Sequence, residues 1–168
     1  HSVINAECEN ITDDAISLTD QNFQPSLIGQ RGLSENIIFE HCIVRKSCTR
    51  NGIGSTGMCA FELDDGPRNI ICRNCIAEDN YGTGFKLHIH STDYDVTDIS
   101  FINCIAINNV PADGVSAEVT GFELGQCPFG SKLERITYNN CISKGSINSA
   151  FINAPGSQTG FKSYVSIV

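Results

Sequence analysis

Large apolar residues recur along this chain in short alternating runs, and five of the runs align on a cysteine. They are Val3-Ile4-Asn5-Ala6-Glu7-Cys8, Ile37-Ile38-Phe39-Glu40-His41-Cys42, Ile70-Ile71-Cys72-Arg73-Asn74-Cys75, Ile99-Ser100-Phe101-Ile102-Asn103-Cys104 and Ile136-Thr137-Tyr138-Asn139-Asn140-Cys141. The cysteines are 34, 33, 29 and 37 residues apart. Within the runs, one column reads Val3, Ile37, Ile70, Ile99, Ile136, and two residues later Asn5, Phe39, Cys72, Phe101, Tyr138. A period of two in apolar size predicts a strand with one buried face. The column before the cysteine is Glu7, His41, Asn74, Asn103, Asn140. Asparagine tolerates left-handed backbone geometry and can bond to its own copy on a neighbouring repeat, so this column predicts a bend. Cys-Ile-Val, Cys-Ile-Ala, Cys-Ile-Ala and Cys-Ile-Ser then start a second strand.

A third strand follows a loop of variable length. Its copies are Ala15-Ile16-Ser17-Leu18, Ala60-Phe61-Glu62-Leu63, Gly84-Phe85-Lys86-Leu87, Gly121-Phe122-Glu123-Leu124 and Ala150-Phe151-Ile152-Asn153. The third position of each copy is expected to point away from the core. Three strands per repeat, a fixed bend and loops of unequal length predict an all-β parallel β-helix, a solenoid of about five rungs spanning residues 1–168 as one domain. A propeller or sandwich would instead require antiparallel hairpins closed by two-residue turns. The chain opens inside a repeat at Ser2-Val3-Ile4 and ends on strand-like Tyr164-Val165-Ser166-Ile167-Val168. Bare solenoid ends expose apolar rungs and strand edges, so a longer helix, capping chain segments or a homotrimer is expected to cover them.

Composition narrows the partners. The 168 residues carry a net charge of -8, which argues against nucleic acid or an anionic membrane as the main partner. Mean hydropathy is -0.09. No apolar run reaches the length of a membrane span, and no signal peptide is visible at His1-Ser2-Val3. Nine cysteines fit a disulfide scaffold or a set of reduced, buried, hydrophobe-like thiols, and the column positions favour the second. Cys8, Cys42, Cys75, Cys104 and Cys141 are expected to stack unbridged. Cys72 and Cys75 form a Cys-x2-Cys pair with no matching second pair, which reads as core and not as a zinc knuckle. Cys48, Cys59 and Cys127 fall in or beside loops and are the free or disulfide candidates.

The outward positions of the third strand form a row: Ser17, Glu62, Lys86, Glu123, Ile152. Adjacent rungs lie about 4.8 Å apart, so Lys86 sits between two carboxylates. One reading is an exposed charge ladder; the other is a catalytic row. Three features border it: the doublet Asp13-Asp14, the doublet Asp64-Asp65, and His88 with His90 on the way to Asp93 and Asp95. Acidic doublets in loops suit a hard cation such as Ca2+, which takes six to eight oxygens. The first-strand outward positions Ile38, Ile71, Ser100 and Thr137 are apolar or neutral and read as a covered face.

The repeat Asn-Ile-x-Phe-x-Asn-Cys-Ile-Ala-x-Asn-Asn followed by Gly-Phe-x-Leu resembles the right-handed β-helix (pectate-lyase-like) superfamily of pectate lyases, polygalacturonases, alginate epimerases and phage tailspikes. Thr12-Asp13-Asp14-Ala15-Ile16-Ser17-Leu18 is similar to the Asp-Asp segment of polygalacturonase-like chains and of family 9 polysaccharide lyases. Asp79-Asn80-Tyr81-Gly82-Thr83-Gly84-Phe85-Lys86-Leu87 resembles the family 9 strand whose lysine is the base, although two glycines follow that leucine in the family and His88-Ile89 follow it here. The resemblance implies a right-handed helix, extracellular or on a virion surface, with Lys86 as base and Asp13 and Asp14 as calcium ligands. Lysine would abstract the proton α to a uronate carboxylate in a lyase; paired carboxylates would serve a hydrolase. The expected catalytic set is Lys86, Glu62, Glu123 and His88, and Ser17, Asp64, Asp65 and His90 are expected to bind an acidic or cell-surface polysaccharide. The other expectation is a non-catalytic, glycan-binding or structural β-helix, such as part of a trimeric tailspike.

Overall fold

In the computed structural model the described residues are 1–12, 14–19, 34–48, 58–89, 95–110, 119–125, 132–145 and 149–153. They contain fifteen β-strands and no helix. The strands come in triplets. The first is β1 (Ser2–Ile4), β2 (Glu7–Glu9) and β3 (Ile16–Thr19), and the second β4 (Glu35–Glu40), β5 (Ile43–Arg45) and β6 (Cys59–Asp64). The third is β7 (Arg68–Arg73), β8 (Ile76–Glu78) and β9 (Thr83–His88), and the fourth β10 (Asp95–Ile102), β11 (Ile105–Ile107) and β12 (Thr120–Leu124). The fifth is β13 (Lys132–Asn139), β14 (Ile142–Lys144) and β15 (Ser149–Asn153). Each strand pairs in parallel with its counterparts in the neighbouring triplets, giving three five-stranded sheets: β1-β4-β7-β10-β13, β2-β5-β8-β11-β14 and β3-β6-β9-β12-β15. Strand stacks on strand at intervals of one repeat, an arrangement consistent with a β-helix-like solenoid.

The sequence columns are register columns from the second repeat onward. Ile37, Ile70, Ile99 and Ile136 are paired in series, as are Phe39, Cys72, Phe101 and Tyr138. In the third sheet Phe61, Phe85, Phe122 and Phe151 follow one another. Their rings stack: Phe61 on Phe85 at 4.6 Å and Phe85 on Phe122 at 4.9 Å, with Phe101 on Tyr138 at 5.0 Å. One chemical choice repeated at one pleat position thus yields a continuous buried ladder.

The first repeat is offset from the cysteine alignment. Val3 pairs with Phe39, not Ile37, and Cys8 pairs with Val44, not Cys42. The residue in the bend column is Asn5 (φ 55), together with His41 (55), Asn74 (54), Asn103 (53) and Asn140 (51), and not Glu7. The expected five-cysteine stack is therefore Cys42, Cys75, Cys104 and Cys141, with Ala6 opposite the first of them: the amide of Ile43 donates to Ala6 O at 2.8 Å. The cause is steric. Any small apolar residue fills the interior position after the bend, whereas the left-handed bend itself favours asparagine, with His41 the one other residue in the column. Within the stack each thiol donates to a carbonyl of the preceding rung, Cys75 to Phe39 O at 3.5 Å, Cys104 to Cys72 O at 3.2 Å and Cys141 to Phe101 O at 3.5 Å. Cys8, Cys42, Cys72, Cys75, Cys104 and Cys141 are free thiols, and Cys72 and Cys75 are core. Cys48 and Cys59 are fully buried, Cys59 as the first residue of β6; Cys127 lies outside the described residues.

Two further polar columns shape the turns. A second left-handed bend runs through Asn10, Lys46, Asp79, Asn108 and Gly145. Behind it Asn80 and Asn109 are fully buried. Asn80 Oδ1 accepts from Ser47 N at 2.9 Å, and its Nδ2 donates to Val44 O at 3.1 Å and to Asn109 Oδ1 at 3.0 Å. These amides supply the partners that turn backbone buried between two sheets requires. The glycines near the start of β9 and β12 are set by close approach of neighbouring strands. A Cβ on Gly84 would meet Gly121 O at 2.7 Å and Ala106 Cβ at 3.0 Å, and one on Gly121 would run into Ser143 Oγ.

Candidate functional site

The outward row of the third sheet forms as the alternation requires. Ser17 pairs with Glu62, Glu62 with Lys86, Lys86 with Glu123 and Glu123 with Ile152. Its exposure does not match the expectation of a solvated ladder. Glu62 is 9% exposed, Lys86 7%, His88 6% and Asp64 2%. Every residue of β6 and of β9 is buried. The side chains close on one another across the rungs, because a buried charge is costly unless a partner satisfies it.

Two groups result. In the first, His88 Nε2 lies 2.9 Å from Glu62 Oε1 and 3.5 Å from Asp64 Oδ2. Asp64 and His88 are register partners at the ends of β6 and β9, and Glu62 stands two residues back on the same face as Asp64. Ser17 Oγ donates to the other Glu62 oxygen at 3.0 Å. Asp14 adjoins the group: its Oδ1 accepts from Cys59 N at 2.7 Å, and Cys59 Sγ lies 4.0 Å from Glu62 Oε1. In the second group Lys86 Nζ is 3.9 Å from Glu123 Oε1, while Thr83 Oγ1 donates to Glu123 Oε2 at 3.1 Å.

Burial alone would raise the Glu62 carboxyl. The hydrogen bond and charge of His88, with hydrogen bonds from Asp14 and Ser17, outweigh burial and hold Glu62 below the usual carboxylate range. Burial likewise opposes the charged form of His88. Hydrogen bonds to Asp64 and Glu62 and the Asp64 charge overcome both burial and the nearby Lys86 charge, and the imidazole is pushed up to about 9. Burial pushes the Cys59 thiol well up. Glu62 and His88 on adjacent strands thus each favour the charged form of the other.

Of the residues expected at the site, Ser17, Glu62, Asp64, His88 and Asp14 converge, and Lys86 and Glu123 pair beside them. Asp65, also buried, follows β6 in left-handed backbone at φ 49, and its amide donates to His88 O at 3.3 Å. Asp13 and His90 lie outside the described residues. Cys59 and Thr83 were not expected. Each occupies an ordinary strand position, and only the fold reveals that it faces a carboxylate. Within ligand distance of Asp14 the described thiol and carboxyl groups are Cys59 and Glu62.

Comparisons with protein-family models, with curated proteins and with solved structures gave no match. Among the described residues no helix is long and apolar enough to cross a membrane.

Proposed function

We propose that the chain is a right-handed parallel β-helix of the pectate-lyase-like kind, or part of a longer one, and that its third sheet acts on an acidic or cell-surface polysaccharide at an extracellular or virion surface. The observation that carries this is the buried row itself. An outward sheet face that buries Glu62, Asp64, Lys86 and His88 concentrates ionisable groups, with Glu62 held down and His88 held up by one another, which is how acid–base sites are built. The arrangement favours hydrolysis over β-elimination. Lys86 as base would have to be a neutral amine free to reach the substrate, whereas here its Nζ lies 3.9 Å from Glu123 Oε1. Glu62 and Glu123 stand two strand spacings apart in register, about 9.6 Å along the sheet. That backbone spacing falls just beyond the carboxyl separation of inverting glycosidases, about 6.5–9.5 Å, so the two side chains would have to lean towards each other to hold a water between them. Glu62 and Glu123 would share the roles of general base and general acid, and Lys86 would neutralise a uronate carboxylate of the substrate. Calcium at the Asp13-Asp14 doublet remains part of the elimination reading, and it depends on Asp13.

The test is the product formed from a panel of polyuronates and neutral surface glycans. Saturated oligosaccharides with inverted anomeric configuration are expected. Unsaturated uronides absorbing in the near ultraviolet would replace hydrolysis by the Lys86 lyase reaction, and no product from any glycan would remove both.

A second reading is favoured by a separate observation. On the outward face of the second sheet Ile43, Ile76, Ile105 and Ile142 are paired in series and none is fully buried, with Ile142 42% exposed. A continuous aliphatic row of this kind suits a subunit contact, as in a glycan-binding or structural homotrimer. Sedimentation equilibrium separates the two: a trimer without turnover supports the structural role.

A further inference from the structure

We propose that Glu62, Asp64 and His88 form a binding site for one divalent transition-metal ion of the zinc class, a site independent of any action on polysaccharide. Three donor atoms, Glu62 Oε1, Asp64 Oδ2 and His88 Nε2, already converge. The imidazole nitrogen is 2.9 Å from the first and 3.5 Å from the second, and all three atoms lie within 4.8 Å of one another. Zinc bonds to nitrogen and oxygen of about 2.0–2.1 Å in a tetrahedron place neighbouring donors about 3.3–3.4 Å apart. The two distances to the imidazole nitrogen therefore need to change by only about half an ångström to admit an ion.

The backbone fixes this geometry. Glu62 and Asp64 share one face of β6 at a spacing of two, and Asp64 is the register partner of His88 on β9. Ser17 Oγ holds the second Glu62 oxygen at 3.0 Å, the outer-shell support that orients metal-binding carboxylates. Cys59 Sγ stands 4.0 Å from Glu62 Oε1 but clusters with Asp14 and not with Asp64 and His88, so a water would complete the four-coordinate set. An imidazole nitrogen beside two carboxylate oxygens favours zinc or cobalt over calcium or magnesium, which take all-oxygen sets. The two carboxylates match the charge of a dication, and Lys86 is engaged by Glu123 on the next strand.

The test uses the full chain, stripped with a chelator, reduced, and titrated with Zn2+ by calorimetry and with Co2+ by visible absorption. One ion per chain is expected, with the intense visible bands of four-coordinate cobalt. His88→Ala and Asp64→Asn, checked for folding by circular dichroism, are expected to lose at least about 100-fold in affinity, and Ser17→Ala about 10-fold. The exposed Asp98→Asn serves as control and should bind as the wild type does. Zinc bound equally well by His88→Ala would assign it to the other thiols and overturn the site. Should neither ligand variant fold, the wild-type cobalt spectrum decides: four-coordinate bands saturating at one equivalent support the site, and their absence overturns it.

Discussion

Replacing Asn80 with alanine removes the side chain that closes the second bend from inside. The amide of Ser47 loses the Oδ1 acceptor at 2.9 Å, and the carbonyl of Val44 loses the Nδ2 donor at 3.1 Å. Asn109 Oδ1 loses one partner but keeps the Asn80 backbone amide at 3.2 Å. Asn80 and Asn109 are fully buried, so water does not take over. A stranded buried group costs about 1–3 kcal/mol. One orphaned amide and one weakened carbonyl therefore sum to about 3–4 kcal/mol. At about 2–4 °C per kcal/mol for a chain of this size, the thermal midpoint should fall by about 10 °C. Asn80→Asp is the sharper variant. It keeps an acceptor for Ser47 but aims a carboxylate oxygen at Val44 O and Asn109 Oδ1, and should cost at least as much as alanine. Differential scanning calorimetry and urea titration measure both. A loss under about 1 kcal/mol for alanine, or an aspartate variant as stable as the wild type, would refute the claim that this amide satisfies the turn.

Phe85 is fully buried between Phe61 and Phe122, and Phe85→Ala should cost about 3–5 kcal/mol in urea denaturation. Gly84→Ala sets a Cβ against the Gly121 carbonyl oxygen at 2.7 Å, a backbone atom that cannot rotate away, and should lose about 1–3 kcal/mol. Thiol titration of the unfolded, unreduced chain should find close to nine thiols, the number of cysteines in the sequence; in the native protein Cys42, Cys75 and Cys104, all fully buried, should react only as it unfolds. Mostly oxidised cysteines would contradict the ladder of unbridged thiols.

Much of the fold was legible because one pleat position repeats its chemistry on every rung. Phe61, Phe85 and Phe122, or Ile70, Ile99 and Ile136, announce their pairing before any coordinate is known. The first rung was misaligned because cysteine was used as the anchor. Asn5, at φ 55, marks the bend more faithfully than Cys8, since alanine replaces cysteine in the interior at little cost while few residues replace asparagine in left-handed backbone. The site was legible as a row but not as a cluster. Alternation shows that Glu62 and Lys86 point outward; it does not show that His88 reaches back to Glu62, or that Ser17 and Asp14 close over the same carboxylate. Such contacts are set by the rotamers of side chains on different rungs. The left-handed positions Asn36, Asn69, Asp98 and Arg135 in the first sheet were likewise hidden. Arginine is unusual there, and its guanidinium pairs with Asp98, Nη2 to Oδ2 at 2.7 Å.

Substitution in the buried row tests the account most directly. Glu62→Gln keeps the shape of the side chain and removes the charge that faces His88, and Lys86→Ala removes the ammonium beside Glu123. Both sites are buried, so each variant is expected to lose about 1–3 kcal/mol and is assayed well below its own thermal midpoint. The measurement is glycan turnover by the folded variants, with binding followed in parallel. Glu62→Gln should slow turnover at least about 100-fold with binding retained, and Lys86→Ala should weaken binding of acidic glycans more than of neutral ones. Turnover and binding unchanged in both folded variants would contradict the account and leave the row as a buried structural ion cluster.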